Sequence, residues 1–339
     1  MSSWKECKLG EVLELKYGKD HKALNDGNIP VFGSGGVMRY ADTSLYDDES
    51  ILIPRKGTLS NIFYINEPFW TVDTIFWSKI NKKEAFGKFL FYQLKTIDFA
   101  NLNVGSAVPS LTTKVLNEVD ISLPVLEEQK AIAEVLSSFD DKIDLLHRQN
   151  QTLESLAQTL FRQWFIEEAK EKWEIGTFDD LVEVSSGKSL KRELFDDMGK
   201  YEVLGANGKI GKTNEWLFEE KLIYTGRVGT LGNVFLIDED KKVWLSDNTL
   251  VVKPKKYFYF IYFLMIDFQL ENLNVGSTQP LVRQSDLKNI EILLPNDEIV
   301  LRFEQQSKNI FKKINQNKKQ IQTLENLRDT LLPKLLSGE

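Results

Sequence analysis

Few side chains in this 339-residue sequence have the type and spacing needed for chemistry. A serine or cysteine nucleophile needs a histidine or lysine base beside it, and the chain has two histidines, His21 and His147, and one cysteine, Cys7. No catalytic partner pattern follows His21. His147 stands between Leu146 and Arg148 in a helical pattern that turns it towards solvent. These residues predict no nucleophilic site.

Other catalytic patterns are also incomplete. Glu14-Leu15-Lys16 has the spacing of a nuclease Glu-x-Lys motif, but no acidic partner stands upstream. The sequence lacks the glycine motif of methyltransferases and the tetrapeptide Asn-Pro-Pro-aromatic. One cysteine and two histidines leave almost nothing for a soft-metal site. We therefore predict a chain with no catalytic residues, no metal and no cofactor of its own.

The bulk composition limits the partners. A net charge of −7 and a pI near 5.3 argue against a free-standing nucleic-acid binder, because phosphate contacts need Lys and Arg. They leave room for local basic patches and suggest that a partner supplies much of the phosphate contact. The single cysteine indicates a reducing compartment, the N-terminal residues include no apolar signal region, and the most apolar run, 257–266, is too short to span a bilayer. We expect a cytoplasmic protein that does not enter membranes.

The elements that would position any site occur twice. Asn101-Leu102-Asn103-Val104-Gly105-Ser106 recurs letter for letter 171 residues later, at 272–277. Gly57-Thr58-Leu59-Ser60-Asn61 has its counterpart at 229–233, at an offset of 172. Repeats of this length are copies of a whole domain rather than solenoid units. A pseudo-twofold axis and two similar binding surfaces follow from such a duplication.

Each copy has a β-rich part followed by a long helix, which predicts an α+β fold. Short apolar runs at 51–53, 61–65 and 74–77 indicate strands, as do their counterparts at 222–224, 233–237 and 249–252. A helix is predicted at 85–98 and again at 256–270. The predicted layout is a first globular domain over 1–126, a helix over 127–168, a second globular domain over 169–297 and a helix over 298–339.

Both long helices have a narrow apolar seam. In the first, the seam positions are Ile132, Leu136, Phe139, Ile143, Leu146, Asn150, Leu153, Ala157, Leu160 and Trp164. In the second, they are Phe303, Ser307, Ile310, Ile314, Asn317, Ile321, Leu324, Arg328, Leu331 and Leu335. The steps alternate between four and three residues, which is the heptad pattern of a coiled coil. We favour pairing of the two helices over packing of each seam on its own domain, and Gly338 suits the end of the second helix.

This layout resembles the specificity subunit of type I restriction–modification enzymes. The residues that support the resemblance are 54–61 with their echo at 226–233, the run Leu123-Pro124-Val125-Leu126-Glu127-Glu128-Gln129-Lys130, and the ending at 331–338. The likeness covers essentially the whole chain. One departure is that the second helix opens Pro295-Asn296-Asp297, without the Glu-Gln-Lys run of the first.

The resemblance implies two similar, mixed, β-rich target-recognition domains joined by two long helices that form an antiparallel coiled coil. It implies a non-catalytic subunit that recognises a bipartite, asymmetric site on double-stranded DNA. Its implied partners are two methyltransferase subunits and the restriction/translocase subunits, which would hold the S-adenosylmethionine, ATP and magnesium. The alternatives are a self-contained DNA-modifying or DNA-cleaving enzyme, which the missing motifs disfavour, and a protein-binding scaffold.

Two arginines occupy matched positions. Arg55 and Arg227 each precede a Gly-Thr-Leu segment, and arginine is the commonest side chain for bidentate contact with guanine. A matched pair favours DNA contact over a solvated surface arginine, with base and phosphate both open as its target. We include the neighbouring Lys56, Thr58 and Thr230 in the predicted DNA-binding set.

Glycine-rich segments supply further candidates. The loop 32–36 lacks the context of a dinucleotide fingerprint, and it can be either an ordinary turn or a close backbone approach to DNA. Its Ser34 and the nearby Arg39 are candidate DNA contacts. In the second copy the corresponding candidates are Asn207 and Lys209, which could face bases or phosphates.

The repeated Asn-Leu-Asn-Val-Gly-Ser loop is the best-preserved segment, so its residues are expected to hold loop structure or to touch phosphates. Ser106 and Ser277 belong to this group. Base contacts are expected where the copies differ, and Gln279 has the chemistry to bind adenine. Lys114 and Arg283 are candidate contacts to the DNA backbone.

One asparagine interrupts each helical seam. In an antiparallel pair Asn150 and Asn317 would face each other and hydrogen-bond, which would fix the register at some cost in stability. The alternative is that both lie in a solvated stretch. The register would set the separation of the two recognition domains and hence the gap in the target.

Overall fold

The computed structural model describes residues 4–103, 109–169, 173–276 and 280–337. The chain divides into two compact units. Unit 1 comprises Met1–His147 and Lys318–Glu339, and unit 2 comprises Arg148–Asn317. Each unit therefore combines one β-rich domain with a part of both long helices.

Unit 1 begins with nine strands and three short helices, followed by a long helix that continues into unit 2. The strands are β1 (Lys5–Lys8), β2 (Leu13–Tyr17), β3 (Ile29–Gly33), β4 (Gly36–Ala41), β5 (Ser50–Pro54), β6 (Phe63–Ile65), β7 (Trp70–Thr71), β8 (Ile75–Ile80) and β9 (Asp120–Leu123). The helices are α1 (Leu9–Val12), α2 (Gly87–Lys95), α3 (Thr113–Asn117) and the long α4 (Leu126–Arg162). A π-helical turn, Gln163–Glu167, extends α4.

Unit 2 repeats this order. Its strands are β10 (Glu174–Thr177), β11 (Val182–Ser186), β12 (Tyr201–Gly205), β13 (Gly208–Thr213), β14 (Phe218–Glu219), β15 (Leu222–Gly226), β16 (Val234–Ile237), β17 (Lys242–Leu245), β18 (Thr249–Pro254) and β19 (Glu291–Leu294). Its helices are α5 (Phe178–Leu181), α6 (Phe258–Asp267), α7 (Gln284–Lys288) and the long α8 (Asp297–Ser337), with 3-10 turns at Arg192–Leu194 and Leu270–Leu273.

The sheets confirm the duplication. Unit 1 has sheets of order β1-β9, β2-β8-β5-β6 and β4-β3-β7, and unit 2 has β10-β19, β11-β18-β15-β16 and β13-β12-β17-β14. The extra strand β14 pairs Phe218 with Val243, where unit 1 has an isolated bridge between Tyr46 and Phe69. The α+β class and the strand positions predicted from the apolar runs are confirmed. The glycine-rich loops, predicted only as loops, are the turns of the β3–β4 and β12–β13 hairpins.

The most apolar segment of the chain forms α6. Its residues are apolar on nearly every face, and Phe260, Ile261 and Met265 are buried. A helix that is hydrophobic all round belongs in a core. No helix among the described residues is both long and apolar enough to cross a membrane.

The long helices pair within each unit. In unit 1, Ile143 and Leu146 of α4 pack with Ile321 and Leu324 of α8. Nearer the start of α4, Leu136 belongs to a cluster with residues close to the end of α8. Residues later in α4 thus contact residues earlier in α8, so the two helices are antiparallel in unit 1. The two helices are also antiparallel in unit 2, where Asn150 contacts Asn317 and Phe161 contacts Phe303.

The helix seams also pack on the globular cores, which is the arrangement that the sequence pattern favours less. In unit 1, Ile132, Ala133 and Leu136 lie in one cluster with Phe89 and Leu336. The aromatic side chains of unit 2 do the same around α6. Phe161 lies 5.8 Å from Phe260 and 5.8 Å from Phe303, measured between ring centroids. The predicted pairing of the two helices is present, and residues of the same seams also pack on the globular cores.

Gln129 fastens α4 to the first domain. Its Oε1 accepts a hydrogen bond from Phe86 N at 2.8 Å, at the start of α2. Its Nε2 donates to Glu84 O at 3.0 Å and to Pro124 O at 2.9 Å. The glutamine of the Glu-Gln-Lys run is therefore buried in an internal contact.

Glu304 takes over this role in unit 2. The residue at the position of Gln129 is Val300, which is buried and apolar. One turn later, Glu304 Oε1 accepts a hydrogen bond from Phe260 N at 2.7 Å. Burial raises the pKa of Glu304 to about 7, against the lowering effect of backbone N–H groups at the start of α6. Where the Glu-Gln-Lys run is missing, the hydrogen bond from Phe260 N to Glu304 thus joins the long helix to its domain.

The stability of unit 2 should depend on pH through Glu304. Between its ordinary pKa of 4.5 and about 7, the folded chain binds a proton that the unfolded chain releases. The free energy of unfolding should therefore fall as pH rises through this window, by about 1 kcal/mol after solvent screening. Glu304→Gln keeps an acceptor for Phe260 and should remove that part of the fall. Thermal unfolding of both proteins at pH 5 and pH 8 measures how much stability each loses between the two pH values. An equal loss in wild type and variant would contradict the assignment to Glu304.

Candidate nucleic-acid interface

Two segments of unit 1 that stand far apart in sequence lie side by side. Leu111 N donates to Arg55 O at 2.9 Å, and Gly57 N donates to Pro109 O at 3.2 Å. Arg55 N donates in turn to Thr74 O at 2.8 Å. The arginine segment is therefore held between residues 109–111, which follow the repeated loop in sequence, and the turn before β8.

Unit 2 has the same backbone framework. Val282 N donates to Arg227 O at 2.9 Å, and Gly229 N donates to Pro280 O at 3.0 Å. Arg227 N donates to Asn248 O at 2.8 Å. The matched sequence positions of the two arginines are thus matched positions in space within each unit.

A hairpin tip joins this group of loops in both units. In unit 1, Asn61 Nδ2 donates to Ser34 O at 3.1 Å. In unit 2, Asn233 Nδ2 donates to Asn207 Oδ1 at 2.9 Å. The asparagine that ends each Gly-Thr-Leu-x-Asn segment therefore binds the β3–β4 or β12–β13 turn. We call these pieces the loop cluster of each unit. It comprises residues 33–36, 55–61, 101–103 and 109–111 in unit 1, and 205–208, 227–233, 272–276 and 280–282 in unit 2.

Asparagines of the repeated loop hold its shape, as predicted. Asn274 Oδ1 accepts hydrogen bonds from Gly276 N and Leu281 N, both at 2.9 Å. Asn103 Oδ1 accepts one from Ser110 N at 2.8 Å. These contacts tie the two ends of each loop. Three predicted DNA contacts in these loops, Ser106, Ser277 and Gln279, lie outside the described residues and stay predictions.

The two arginine side chains differ in their surroundings. Arg55 Nη1 donates to Asp73 O at 3.3 Å, and its guanidinium lies 5.3 Å from the ring centroid of the exposed Tyr17. Arg227 Nε is buried and has no hydrogen-bond partner among the described residues. The two side chains thus have different internal contacts, although their backbone settings match.

The polar neighbours of the arginines are accessible. Lys56, Thr58 and Thr230 are exposed. Asn207 is also exposed, while Ser34 is partly buried beneath the contact from Asn61. These side chains lie in the loop clusters, and their contact with DNA stays a prediction.

Four other predicted basic contacts lie outside the loop clusters as defined. Arg39 on β4 pairs with Asp26 at 2.6 Å, and Lys209 on β13 pairs with Glu202 at 3.6 Å. Exposed ion pairs of this kind are worth little, so a phosphate can replace the carboxylate. Two further candidates lie at short helices. Lys114 is part of α3. Arg283 directly precedes α7, and its backbone N donates a hydrogen bond to Asp286 Oδ2 at 3.1 Å.

An open cleft of about 740 Å³ lies beside the loop cluster of unit 1. It is lined by Asp20, His21, Lys22, Gly33, Ser34, Gly35, Met38, Val72, Asp73 and Thr74. Glu14 and Lys16 of the Glu-x-Lys pattern are ion-paired with each other on β2. Among the described residues, no group of three or more His, Cys, Asp or Glu side chains is placed to hold a metal ion.

Two lysines next to the clusters were missed. Trp70 Nε1 donates to Lys19 O at 3.0 Å, and Trp244 Nε1 donates to Lys188 O at 2.7 Å. Both lysine side chains are exposed. The signal was present in the sequence, because Gly18-Lys19 and Gly187-Lys188 are also a repeated pair.

A family model described as the type I restriction modification DNA specificity domain matches residues 1–155 and 170–331. The chain belongs to this family. Sequence-specific DNA recognition, without catalysis of its own, is accordingly the role of this specificity chain in a type I restriction–modification system.

Known specificity subunits are similar over most of their length. The MjaIX specificity subunit of Methanocaldococcus jannaschii is 28% identical, over 89% of this chain and 80% of that protein. The HindI specificity subunit of Haemophilus influenzae is 22% identical, over 98% of this chain and 90% of that protein. A type I S subunit structure from M. genitalium has a TM-score of 0.68 at 19% identity, covering 98% of this chain and 96% of that one, and so shares the fold.

The predicted asparagine contact of this specificity chain is present in unit 2. Asn317 Nδ2 donates to Asn150 Oδ1 at 2.9 Å, and both side chains are buried. A buried polar pair is favourable for register because a shift along the helices would leave both amides unpaired. That the pair sets the register remains a prediction.

A double-mutant cycle tests the energetic part of this prediction. Asn150→Leu should destabilise unit 2 by about 1–3 kcal/mol, because it leaves the Asn317 amide buried without its partner. Replacing both residues with Leu should restore or exceed wild-type stability. Denaturant unfolding measures the cycle, with Asn309→Leu on the exposed face of α8 as control. A double variant less stable than either single variant would contradict it.

Replacement of the arginines tests the loop clusters. Arg227→Ala should weaken specific binding by about 1–3 kcal/mol and relax the preference at one base position. Arg55→Ala should do the same in the other half of the target. Arg162→Ala, which removes an exposed arginine paired with Glu167 on the helix, is the control and should bind normally. Binding to a panel of single-base variants measures the effect, and a uniform loss with a shallower salt dependence would assign the arginine to phosphate.

Proposed function

We propose that each unit reads one half of a bipartite, asymmetric target on double-stranded DNA. The observation that supports this proposal is the shared framework of the loop clusters. Equivalent backbone hydrogen bonds hold Arg55 in unit 1 and Arg227 in unit 2. A common framework favours a common approach to the double helix in both units.

The side chains on the two frameworks differ. At equivalent positions unit 1 has Tyr17, Gly35 and Lys56, and unit 2 has Ser186, Asn207 and Val228. Different side chains on one framework present different hydrogen-bonding groups to base edges, and base edges are where sequence is read. This supports two different half-sites, and hence an asymmetric target.

We propose further that the chain directs two methyltransferase subunits and the restriction/translocase subunits to this target, in the cytoplasm. The net charge of −7 supports a partner that contributes phosphate contacts. The long helices have exposed charged faces, including Lys312, Lys313 and Lys318 on α8, that are available to a partner. S-adenosylmethionine, ATP and magnesium would belong to those subunits.

Exchange of one domain tests the proposal. The complex of this chain with methyltransferase subunits should methylate one bipartite sequence, which sequencing of modified bases identifies. Replacing residues 1–126 with the corresponding domain of another specificity subunit should change one half of that sequence and keep the other. Replacing residues 169–297 is the matched control and should change only the opposite half. A change in both halves from either exchange would refute the assignment of one half-site to each unit.

A further inference from the structure

The second strand of each hairpin has one extra residue at the same place. In unit 1, Phe32 faces Val37 and Val31 faces Arg39, so Met38 is bulged out of the ladder. Bulges re-aim a side chain and are common beside functional sites.

Unit 2 repeats the bulge. Leu204 faces Lys209 and Val203 faces Gly211, which leaves Ile210 as the extra residue. The irregularity therefore belongs to the duplicated framework. It puts a large apolar side chain at one equivalent position in both units.

A glycine on the opposite strand leaves room for each bulged side chain. A methyl group added to the buried Gly33 would overlap Met38 Sδ, and one added to the buried Gly205 would lie 2.9 Å from Ile210 Cγ2. Each side chain therefore lies against the backbone of the first strand. Even so, Met38 is 58% exposed and Ile210 is 54% exposed.

Among the exposed positions of this strand, only the bulged one is apolar in both units. Its neighbours change chemistry between the units, with Val37 replaced by Lys209 and Tyr40 by Lys212. A solvated strand face would show the same freedom at the bulge. A single exposed apolar side chain needs no explanation, but one that is held at the same bulged position in both units favours a contact made outside the chain.

The position of the bulge indicates what that contact is. Met38 lines the open cleft beside the loop cluster of unit 1, together with Ser34 of the hairpin tip. The contacts from Asn61 to Ser34 and from Asn233 to Asn207 tie each hairpin to its arginine segment. Met38 therefore lies beside the loop cluster that contains Arg55, and Ile210 has the equivalent place in the hairpin of unit 2.

We propose that Met38 and Ile210 each contact the C5-methyl group of a thymine in the DNA major groove, one in each half-site. This inference rests on the proposed function. A two-stranded ribbon fits the major groove, and the thymine methyl is the apolar group that base edges present there. Contact with phosphates would give an apolar side chain no comparable gain.

Removal of the thymine methyl group tests the proposal without changing the protein. The probes are duplexes with the sequence that the complex methylates. In each probe one thymidine is replaced by deoxyuridine, which lacks only the C5-methyl group. Wild-type complex should bind about fourfold more weakly to one substituted duplex per half-site, the factor expected for one methyl-sized group. Absence of any such position, in a complex that still binds its target specifically, would overturn this inference and leave the proposed function intact.

Variants then assign the methyl groups to residues. The Ile210→Ala complex should bind the unmodified duplex more weakly than wild type does. It should lose no further affinity when the contacted thymine is replaced by uracil, so the two losses do not add. Met38→Ala should behave likewise in the other half-site. Ile175→Ala, an exposed isoleucine on β10 of the same unit, is the matched control and should bind as wild type. Additive losses, or an equal effect from Ile175→Ala, would overturn the assignment.

Discussion

The apolar stripe of α4 cannot face water, and its burial determines how both units are built. In unit 1, Ile132, Ala133 and Leu136 complete a core that also contains Leu336 from α8. In unit 2, the same requirement brings Phe161 and Phe165 against Phe303. The β-rich domains are attached to this helical framework by specific polar contacts, with Gln129 at one junction and Glu304 at the other. The loop clusters can keep a defined geometry because the domains that bear them are fixed in this way.

Within each loop cluster, geometry and chemistry have separate sources. Backbone hydrogen bonds and the amides of Asn103 and Asn274 set the shape of the loops. The exposed side chains on that shape are free to differ, as Gly35 and Asn207 do. A duplicated domain can in this way acquire a second specificity through surface substitutions alone, because no residue that holds the framework has to change.

The sequence predicted the parts of the fold that depend on local pattern and on repetition. The runs around β5, β6 and β8 have strand composition, and the recurrence of Asn-Leu-Asn-Val-Gly-Ser identified the duplication. The contact between Asn150 and Asn317 was predictable because the repeat offset related two seam positions. The β3–β4 hairpin was not predicted, because a glycine-rich segment with a bulge has no clear alternation. The pairing of Arg55 with Leu111 is a tertiary contact without a local signal, so the arginines could be proposed from sequence but their setting could not.

The two units differ in the order in which a ribosome can complete them. Unit 2 is one uninterrupted stretch, whereas unit 1 joins its first residues to a segment of α8 near the other end of the chain. The domain made first therefore lacks Leu332 and Leu336 until α8 has been synthesised, and the part of its core that these residues cover stays open during that time. Long-range closure of this kind is slow and leaves apolar surface open to association. A second copy carries the same Leu332 and Leu336, so exchange of α8 between two chains would close both cores with the contacts that each chain otherwise makes within itself.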